Sequence, residues 1–330
     1  MDAAVFETLA DRGYAVSVVA VMEPVRNLVA RLVQEAPDLI FNFALQYRGD
    51  RRKAAQIAGL LDLLRVPYTG AGPQGILRAC DKAFAKQLVR LIGVRTPRMI
   101  SVPPGDRLPE CQLAFPVIVK PRFSGGSEGI TAKSVAHSQA ALRARVAWVH
   151  RRYCQDALCE EFIAGKDVSI GLIGNARMHV FPIRERLLPG TGNDAMKFAD
   201  FHVKHKQYNS GSSVHWKRLK ITDQRRRRME DEAKRIYVEL QLRDYARMDY
   251  RLAPSGEFYF LEANHCPDCA PHSFGIFAAW RSIGFAHLLE LIMAECLERF
   301  KRSPAGLTRP TAARWRQLTA RLADARARIQ

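Results

Sequence analysis

Two strand-like segments near the C-terminus constrain the fold most strongly, because they predict an antiparallel hairpin with a definite register. DYARMDYRL and EFYFLEAN flank the turn sequence APSG. A two-residue loop at 255–256, an X-Gly pair typical of tight hairpins, places Asp249 opposite Glu262 and Arg247 opposite Asn264. Because side chains alternate between the faces of a strand, all four are expected on one face.

The opposed acids Asp249 and Glu262 predict a bound cation. Directly opposed residues lie about 5 Å apart, so two carboxylates there repel each other unless a cation lies between them. Carboxylate and amide oxygens from Asp249, Glu262 and Asn264 suit a hard divalent ion, Mg²⁺ or Mn²⁺. The alternative is a solvent-exposed hairpin with an incidental pair of acids.

A cysteine pair follows the hairpin and offers a second metal hypothesis. Cys266 and Cys269 form a CxxC, with His265 and His272 nearby. One CxxC is half of a zinc site, and the sequence has no partner pair at nearby spacing. A redox CxxC usually opens a helix after a strand. A third interpretation is that the two cysteines only fill a loop beside the oxygen site.

Upstream, strands and helices alternate and predict an α/β protein. Residues 16–21 and 38–43 resemble buried strands, whereas residues 27–36 and 53–65 have the apolar spacing of helices. From about Ile76 the pattern of strand-like and helix-like segments changes. A long amphipathic helix is expected around residues 220–242.

The segment KPRFSGGSEGI, residues 120–130, predicts an anion-binding loop after the strand FPVIV. It matches neither common phosphate-binding signature, but its glycines let backbone N–H groups approach an anion closely. Lys120 at the end of the strand and Lys82 at the start of an earlier helix are candidate partners of that anion. A flexible Gly/Ser loop with ordinary surface lysines is the alternative.

Taken in order, these segments resemble the ATP-grasp superfamily and, within it, the D-alanine–D-alanine ligase family. FPVIVKPRFSGGSEGI resembles the family's glycine loop, and CEEFIAGKDVSIG resembles its adenine-contacting hinge. FHVKHK resembles its flexible loop, and ARMDYR, FLEAN and PHS resemble its metal and substrate end. The resemblance runs from about Asp38 to Arg299.

The resemblance implies an α/β ATP-grasp fold, in which two α+β subdomains sandwich ATP behind a shortened Rossmann-like α/β domain. Residues 1–75 would form that N-terminal domain, and residues 76–165 the small subdomain with the glycine loop. Residues 166–300 would form the large subdomain with the metal and substrate site, and residues 301–330 a basic tail or helix.

The resemblance also implies individual roles. ATP would be bound by Lys82, Lys120, Ser124, Gly125, Gly126, Ser127, Glu160, Glu161, Phe162, Ile163 and Asp167. The two lysines would contact the phosphates, residues 160–163 the adenine and Asp167 the ribose. Asp249, Glu262 and Asn264 would bind two Mg²⁺ (or Mn²⁺) ions. Lys204 would reach the γ-phosphate, Arg247 the oxyanion and Ser273 a substrate carboxylate. The implied activity is a carboxylate–amine ligase reaction through an acyl phosphate.

Departures from the family pattern concentrate on the substrate side. The family's first strand, Gly-rich turn and amino-group-binding acid would lie upstream of Met1. Its His-Gly-x-x-Gly-Glu-Asp-Gly loop is expected after FNF, where this chain has ALQYRGDRRK with Gln46 at the His position. Gly126 replaces a serine, His205 a tyrosine and Asp268 a glycine. These departures predict small-molecule carboxylate and amine substrates other than two D-alanines.

The basic composition raises a separate hypothesis. The net charge is +18, and residues 301–330 supply +7 of it through eight basic residues and one Asp. Such charge attracts nucleic acid or another anionic surface, although a solvated basic surface is the alternative. A catalytically inactive ATP-binding scaffold is a further interpretation.

The cellular location follows from what the sequence lacks. No apolar run reaches the roughly 20 residues of a membrane span, and no secretory signal is recognisable at the start. Seven scattered cysteines do not form a disulfide framework, so a cytoplasmic location is expected. A homodimer is an expectation from the family.

Overall fold

The structure is a computed structural model that describes residues 2–21, 24–106, 108, 112–188, 198, 216–301 and 312–327. Its N-terminal part is helical, as the apolar periodicity predicted for residues 27–36 and 53–65. The helices are α1 (Asp2–Asp11), α2 (Val25–Glu35), α3 (Ala54–Leu63), α4 (Pro73–Cys80) and α5 (Lys82–Leu91), and a 3₁₀ turn spans Arg51–Lys53. The carboxylate of Asp81 accepts hydrogen bonds from the N–H groups of Ala83 and Phe84, which caps α5 and places Lys82 at its start.

The two buried strands predicted for residues 16–21 and 38–43 are not regular strands, and that prediction was wrong. Ile40 and Tyr68 form an isolated parallel bridge, whereas residues 16–21 carry no strand and Val18 is 60% exposed. A buried strand needs a continuous row of partners for its N–H and C=O groups, and one bridge does not provide it. The mixed α/β class is nevertheless confirmed.

A four-stranded antiparallel sheet of order β1-β4-β2-β3 follows among the described residues. Its strands are β1 (Met99–Val102), β2 (Val117–Pro121), β3 (Val135–Ala136) and β4 (Ala157–Glu161). Helix α6 (Gln139–Tyr153) packs on this sheet, burying Leu142, Val146 and Val149 against Val117 and Val119. This sheet carries the strand that leads into the glycine loop.

A second, six-stranded sheet has the order β10-β9-β5-β7-β8, with β6 paired to β5. Its strands are β5 (Lys166–Gly174), β6 (Met178–Val180), β7 (Arg184–Arg186), β8 (Trp216–Arg218), β9 (Tyr245–Leu252) and β10 (Phe258–Asn264). Helix α7 (Asp223–Glu239) shares one apolar cluster with it, in which Met229 and Ile236 lie with Ile170 and Met248. Four residues, 162–165, connect β4 of the first sheet to β5 of the second.

The β9–β10 hairpin is present, but its loop differs from the predicted pair at 255–256. The N–H of Ala253 donates to the carbonyl of Glu257, and the N–H of Gly256 donates to the carbonyl of Ala253. The loop therefore has three residues, and Gly256 takes the left-handed conformation that such a loop requires (φ 83°).

A β-bulge at Leu261 restores the predicted register farther from the loop. Phe260 lies opposite Tyr250, whereas Glu262 lies opposite Asp249. Asn264 lies opposite Arg247. The bulge makes two consecutive residues, Leu261 and Glu262, face away from the apolar core. The predicted pairing at the acidic end is thus confirmed, although the loop that suggested it was wrong.

The C-terminal helices form a second apolar cluster with α1. They are α8 (Gly275–Ala279), α9 (Phe285–Lys301) and α10 (Ala312–Ala327). In α10, Leu322 is 2% exposed and packs in the cluster that contains Leu9 of α1 and Leu288 of α9. The described part of the basic tail is therefore a helix packed on its own chain. No helix in the described ranges is long and apolar enough to cross a membrane.

Candidate active site

A cleft opens between the two sheets, beside the segment that joins β4 to β5. Its empty volume is about 950 Å³, including the open mouth. The predicted residues that line it are Lys82, Lys120, Ser124, Gly125, Ser127, Glu160, Glu161, Phe162, Ile163, Asp167, Arg247, Asp249 and Glu262. Residues from five separate stretches of sequence therefore meet at one place.

The other predicted residues lie elsewhere. Asn264 lines a smaller cavity that adjoins the cleft, and Gly126 lies at a turn of the glycine loop with φ 62°. The carbonyl of Ser273 accepts a hydrogen bond from Nη1 of Arg184 at 2.7 Å, and Ser273 does not line either of these two cavities. Lys204, and with it His205, falls outside the described residues, so the role of Lys204 stays a prediction.

Glu160 holds two lysines at the base of the cleft. It is fully buried on β4, and its Oε1 and Oε2 lie 2.7 Å from Nζ of Lys86 and 2.6 Å from Nζ of Lys120. Burial lowers the pKa of Lys86 to about 8, although Glu160 opposes that shift. Burial alone would raise the pKa of Glu160, but the two ammonium groups hold it below its ordinary value. Two cations against one carboxylate favour an anionic ligand here.

Lys86 also bonds to the second sheet. Its Nζ donates to the carbonyl of Leu261 at 2.5 Å, which lies at the bulge where the regular β9–β10 pairing shifts. The ammonium group therefore satisfies a backbone acceptor at the irregular position. One side chain on α5 thus contacts β4 of the first sheet and β10 of the second.

The segment after β4 is held by Arg251. This arginine is 4% exposed; its Nε donates to the carbonyl of Ile163 at 2.9 Å, and its Nη1 donates to Asp167 Oδ1 at 2.7 Å. The guanidinium also lies 5.4 Å from the ring centroid of Phe162. These contacts order an apolar strip beside an acid, an arrangement suited to a flat ring carrying hydroxylated groups.

The glycine loop lies against the start of α5. Nζ of Lys82 donates to the carbonyl of Ser124 and lies 3.5 Å from Glu262 Oε2. Burial lowers the pKa of Lys82, while the charge of Glu262 opposes that shift. Gly126 and Ser127 adopt positive φ values of 62° and 65°, and the N–H of Glu128 donates to the carbonyl of Gly125 at 3.0 Å, so the loop makes a tight turn here.

The acidic end of the hairpin is balanced by cations of the chain itself. Arg247 donates from Nε and Nη2 to the two carboxylate oxygens of Asp249, at 2.7 and 2.9 Å. The amide nitrogen of Asn264 donates to Asp249 Oδ2 at 2.9 Å. The opposed carboxylates of Asp249 and Glu262 are thus each next to a positive side chain, Arg247 or Lys82.

The donors at this end fit a hard divalent ion. They are two carboxylates and one amide on adjacent, registered strands, and oxygen ligands of this kind suit Mg²⁺ or Mn²⁺. Within the described ranges, no group of three or more His, Cys, Asp and Glu side chains is placed to hold a metal ion. The set Asp249, Glu262 and Asn264 has only two such side chains, so an ion there needs further oxygens from ligand or water.

Several residues that line the cleft or lie directly beneath it were not predicted from the sequence. Lys86 follows Lys82 by four positions, and this i,i+4 spacing on one helix face was the available signal. Arg186 and Trp216 line the cleft next to each other, with Arg186 Cζ 4.1 Å from the Trp216 ring centroid. Burial lowers the pKa of Arg186 to about 10, so it stays cationic near neutral pH. No sequence signal singled out Arg186 or Arg251.

The cysteine pair lies beside a tyrosine. The hydroxyl of Tyr245 and the Sγ of Cys266 are 3.6 Å apart, and Cys269 is fully buried with its Sγ donating to the carbonyl of Pro267. Burial raises the pKa of Cys269 well above its ordinary value, which disfavours the thiolate needed for zinc binding or exchange. Neither cysteine forms a disulfide bond within the described ranges.

Comparison with known proteins decides the family. The family described as "D-ala D-ala ligase C-terminus" matches residues 107–294. The chain belongs to the D-alanine–D-alanine ligase family. A D-alanine–D-alanine ligase of Desulfotalea psychrophila is 32% identical over 82% of this chain and 82% of that protein. An uncharacterized protein of Sinorhizobium fredii, y4sG, is 32% identical over 73% of this chain and 69% of that protein.

Solved structures of ligases share the fold. The D-alanine–D-alanine ligase from Bacillus anthracis complexed with ATP has a TM-score of 0.66 and 19% sequence identity, covering 82% of this chain and 84% of that one. The VanG D-Ala:D-Ser ligase from Enterococcus faecalis has a TM-score of 0.59 and 21% identity, covering 73% and 68%. This family member therefore has the ATP-grasp fold expected from the sequence.

Proposed function

We propose that this family member is an ATP-dependent carboxylate–amine ligase whose substrates are not two D-alanines. One observation carries the proposal: a lysine-flanked glycine loop and the registered pair Asp249 and Glu262 face the same cleft between two sheets. The relatives named as D-alanine–D-alanine ligases, one of them solved with ATP, support the nucleotide and the reaction class.

The nucleotide would lie along the cleft. Phe162 and Ile163 offer the apolar wall for the adenine, and Asp167 offers a carboxylate for the ribose. Lys82, Lys120 and the N–H groups of the glycine loop would bind the phosphates. Asp249, Glu262 and Asn264 would hold two Mg²⁺ ions, which supply Lewis-acid stabilisation of the phosphate charge when bound.

The proposed reaction has two transfers. An oxygen of the donor carboxylate bonds to the γ-phosphorus of ATP, the bond from that phosphorus to the bridging oxygen breaks, and ADP leaves. The amine nitrogen then bonds to the carbonyl carbon of the acyl phosphate, the bond to the phosphate oxygen breaks, and phosphate leaves with the electron pair while the amine loses a proton. The protein supplies position and positive charge, for which Arg247, Ser273 and Lys204 are the proposed groups.

The choice of other substrates rests on the departures from the family pattern. Gln46 stands at the His position of the substrate loop, and Asp268 stands where a glycine N–H is expected. An assay for D-alanyl-D-alanine synthesis tests this part alone. Robust turnover of D-alanine would contradict it without affecting the proposed reaction class.

The reaction class is tested by phosphate release that requires ATP and Mg²⁺, with pools of amino acids, small acids and amines. We expect one pool to give release, and Glu262→Gln to lower it by about 100-fold or more, because several kcal/mol of charge stabilisation are lost. Glu257→Gln is the matched control, since Glu257 lies on the hairpin but pairs at the surface with Arg95 at 3.6 Å.

Two outcomes of this test would contradict the proposal. If ATP binds to the purified protein but no pool gives release, the ligase proposal is contradicted and the inactive ATP-binding scaffold is favoured. If Glu257→Gln loses as much activity as Glu262→Gln, the metal role assigned to Glu262 is contradicted.

A further inference from the structure

Arg51 lies beside the glycine loop, where its charge is available to bind a ligand. It begins the 3₁₀ turn after the N-terminal loop ALQYRGD, and its guanidinium lies on the glycine loop. A Cβ built on Gly125 would come within 2.4 Å of Arg51 Cζ, so the guanidinium lies directly against the backbone of Gly125.

Arg51 faces the smaller cavity that adjoins the cleft. That cavity is lined by Leu45, Arg51, Ala79, Cys80, Lys82, Ser124, Gly125, Glu262, Ala263, Asn264, His265 and Cys266. Lys82, Ser124, Gly125 and Glu262 line both spaces, whereas Arg51 lines only the smaller one and the hinge residue Phe162 lines only the cleft. The smaller cavity therefore begins at the phosphate end of the cleft, opposite the hinge.

This position is where an acyl donor must lie. A carboxylate that attacks the γ-phosphorus approaches in line, on the side away from the leaving ADP. The shared residues Lys82 and Gly125 mark the phosphate end of the cleft. A donor that fills the smaller cavity then presents one end to the phosphate and its other end to Arg51.

The charges around this cavity favour an anion at that other end. Within the described ranges, Glu262 is the only carboxylate in the cavity lining, and it lies 3.5 Å from Lys82. None of the described acidic side chains forms an ion pair with Arg51. A cation that pairs with none of the carboxylates in the described ranges, in a partly closed space, favours a negatively charged ligand group.

We propose that the acyl donor is a small dicarboxylate: one carboxylate is phosphorylated at the cleft, and Arg51 binds the second. This inference rests on the ligase function proposed above. Among the described residues that line the smaller cavity, Glu262 is the only acid available to bind an ammonium group. The donor is therefore not required to carry a 2-amino group. The same guanidinium chemistry would also suit the γ-phosphate, and the experiment separates the two anions.

The test traps the acyl phosphate, so the natural amine is not needed. Purified protein is incubated with ATP, Mg²⁺ and hydroxylamine, and acyl hydroxamate is measured for four- and five-carbon dicarboxylates, with and without a 2-amino group, and for alanine. We expect the dicarboxylates to be used about 10- to 100-fold more efficiently than alanine, the effect of one hydrogen-bonded charge pair.

Variants at residues 51 and 52 identify the group responsible. Arg51→Glu should raise the KM for the dicarboxylate by at least about tenfold and leave the KM for ATP nearly unchanged. Arg52→Gln is the matched control, because Arg52 is the next residue, 54% exposed and paired with Asp50. A raised KM for ATP in Arg51→Glu, or equal use of alanine and dicarboxylates by the wild type, would overturn the inference while leaving the ligase in place.

Binding separates this inference from failure of the ligase proposal. The dicarboxylate is titrated calorimetrically into the protein with Mg²⁺ and a non-hydrolysable ATP analogue. Binding that Arg51→Glu abolishes and Arg52→Gln keeps supports the inference even if no hydroxamate forms, in which case only the ligase proposal fails. No dicarboxylate binding to the wild type overturns it.

Discussion

Glu160 is the residue whose loss should affect the cleft most, because two buried lysines depend on it. Its removal leaves the ammonium groups of Lys86 and Lys120 without their carboxylate. We expect Glu160→Gln to lower the free energy of unfolding by about 3–5 kcal/mol, the cost of breaking a buried ion pair from one side. Urea unfolding followed by circular dichroism measures this.

The neighbouring residue supplies the control for that prediction. Glu161 pairs with Arg98 at 3.5 Å, and the arginine side chain is 64% exposed. Since exposed pairs contribute about 0–1 kcal/mol, Glu161→Gln should change the free energy of unfolding little. Equal losses for the two variants would contradict the buried role of Glu160.

At the scale of single elements, α7 contains a buried acid whose ionisation opposes folding. Oε1 of Glu232 is buried and has no hydrogen-bond partner among the described residues. Burial raises the pKa of Glu232 from its ordinary value of 4.5 to about 7. The folded state therefore keeps this proton where the unfolded state has lost it, so its contribution to stability is full below pH 4.5 and declines as pH rises to 7.

We expect Glu232→Gln to stabilise the folded state, relative to the wild type, by an amount that increases as pH rises. The free energy of unfolding of the variant minus that of the wild type should increase by roughly 2–3 kcal/mol between pH 4.5 and 8. Chemical unfolding at several pH values gives this difference. Asp231→Asn, at an adjacent side chain that is 74% exposed, should give a flat profile, and a flat profile for Glu232→Gln would contradict the assignment.

The elements also differ in how far local sequence determines them. Apolar periodicity was enough for α2, α3 and α7, and turn chemistry was enough to locate the β9–β10 hairpin. The loop length was not predictable, because APSG can form a two- or a three-residue loop. The carbonyl of Leu261 at the bulge accepts a hydrogen bond from Lys86, which is 175 residues away in sequence, and no local pattern contains that contact.

At the scale of the whole molecule, the described part of the basic tail, α10, packs against the rest of the chain and contributes to its stability. Leu322 of α10 is 2% exposed against α1 and α9. Leu322→Ala should lower the free energy of unfolding by about 2–4 kcal/mol, as for other buried leucines, measured by thermal or chemical unfolding. Arg316→Ala, at an exposed position of the same helix, is the control. An unchanged free energy of unfolding in Leu322→Ala would instead favour a basic tail that is loosely attached and available to bind nucleic acid.

The overall architecture was more predictable from sequence than the substrate side of the site. The order of segments from Val117 to Asn264 is typical of the ATP-grasp fold, which the structure has. The positions of Arg51 and Arg251 could not be predicted, because each is defined by distant parts of the chain that meet only after folding. The domain boundaries stay predictions.

Lys86 connects the two sheets at the base of the cleft. Its ammonium group joins Glu160 of one sheet to Leu261 of the other, and an ammonium group has three donors that rotate freely about the end of a flexible stem. Lys86 is fully buried, so a separation of the two sheets at this point would break the ion pair of a buried charge. The contact therefore holds β4 and β10 together at the base of the cleft.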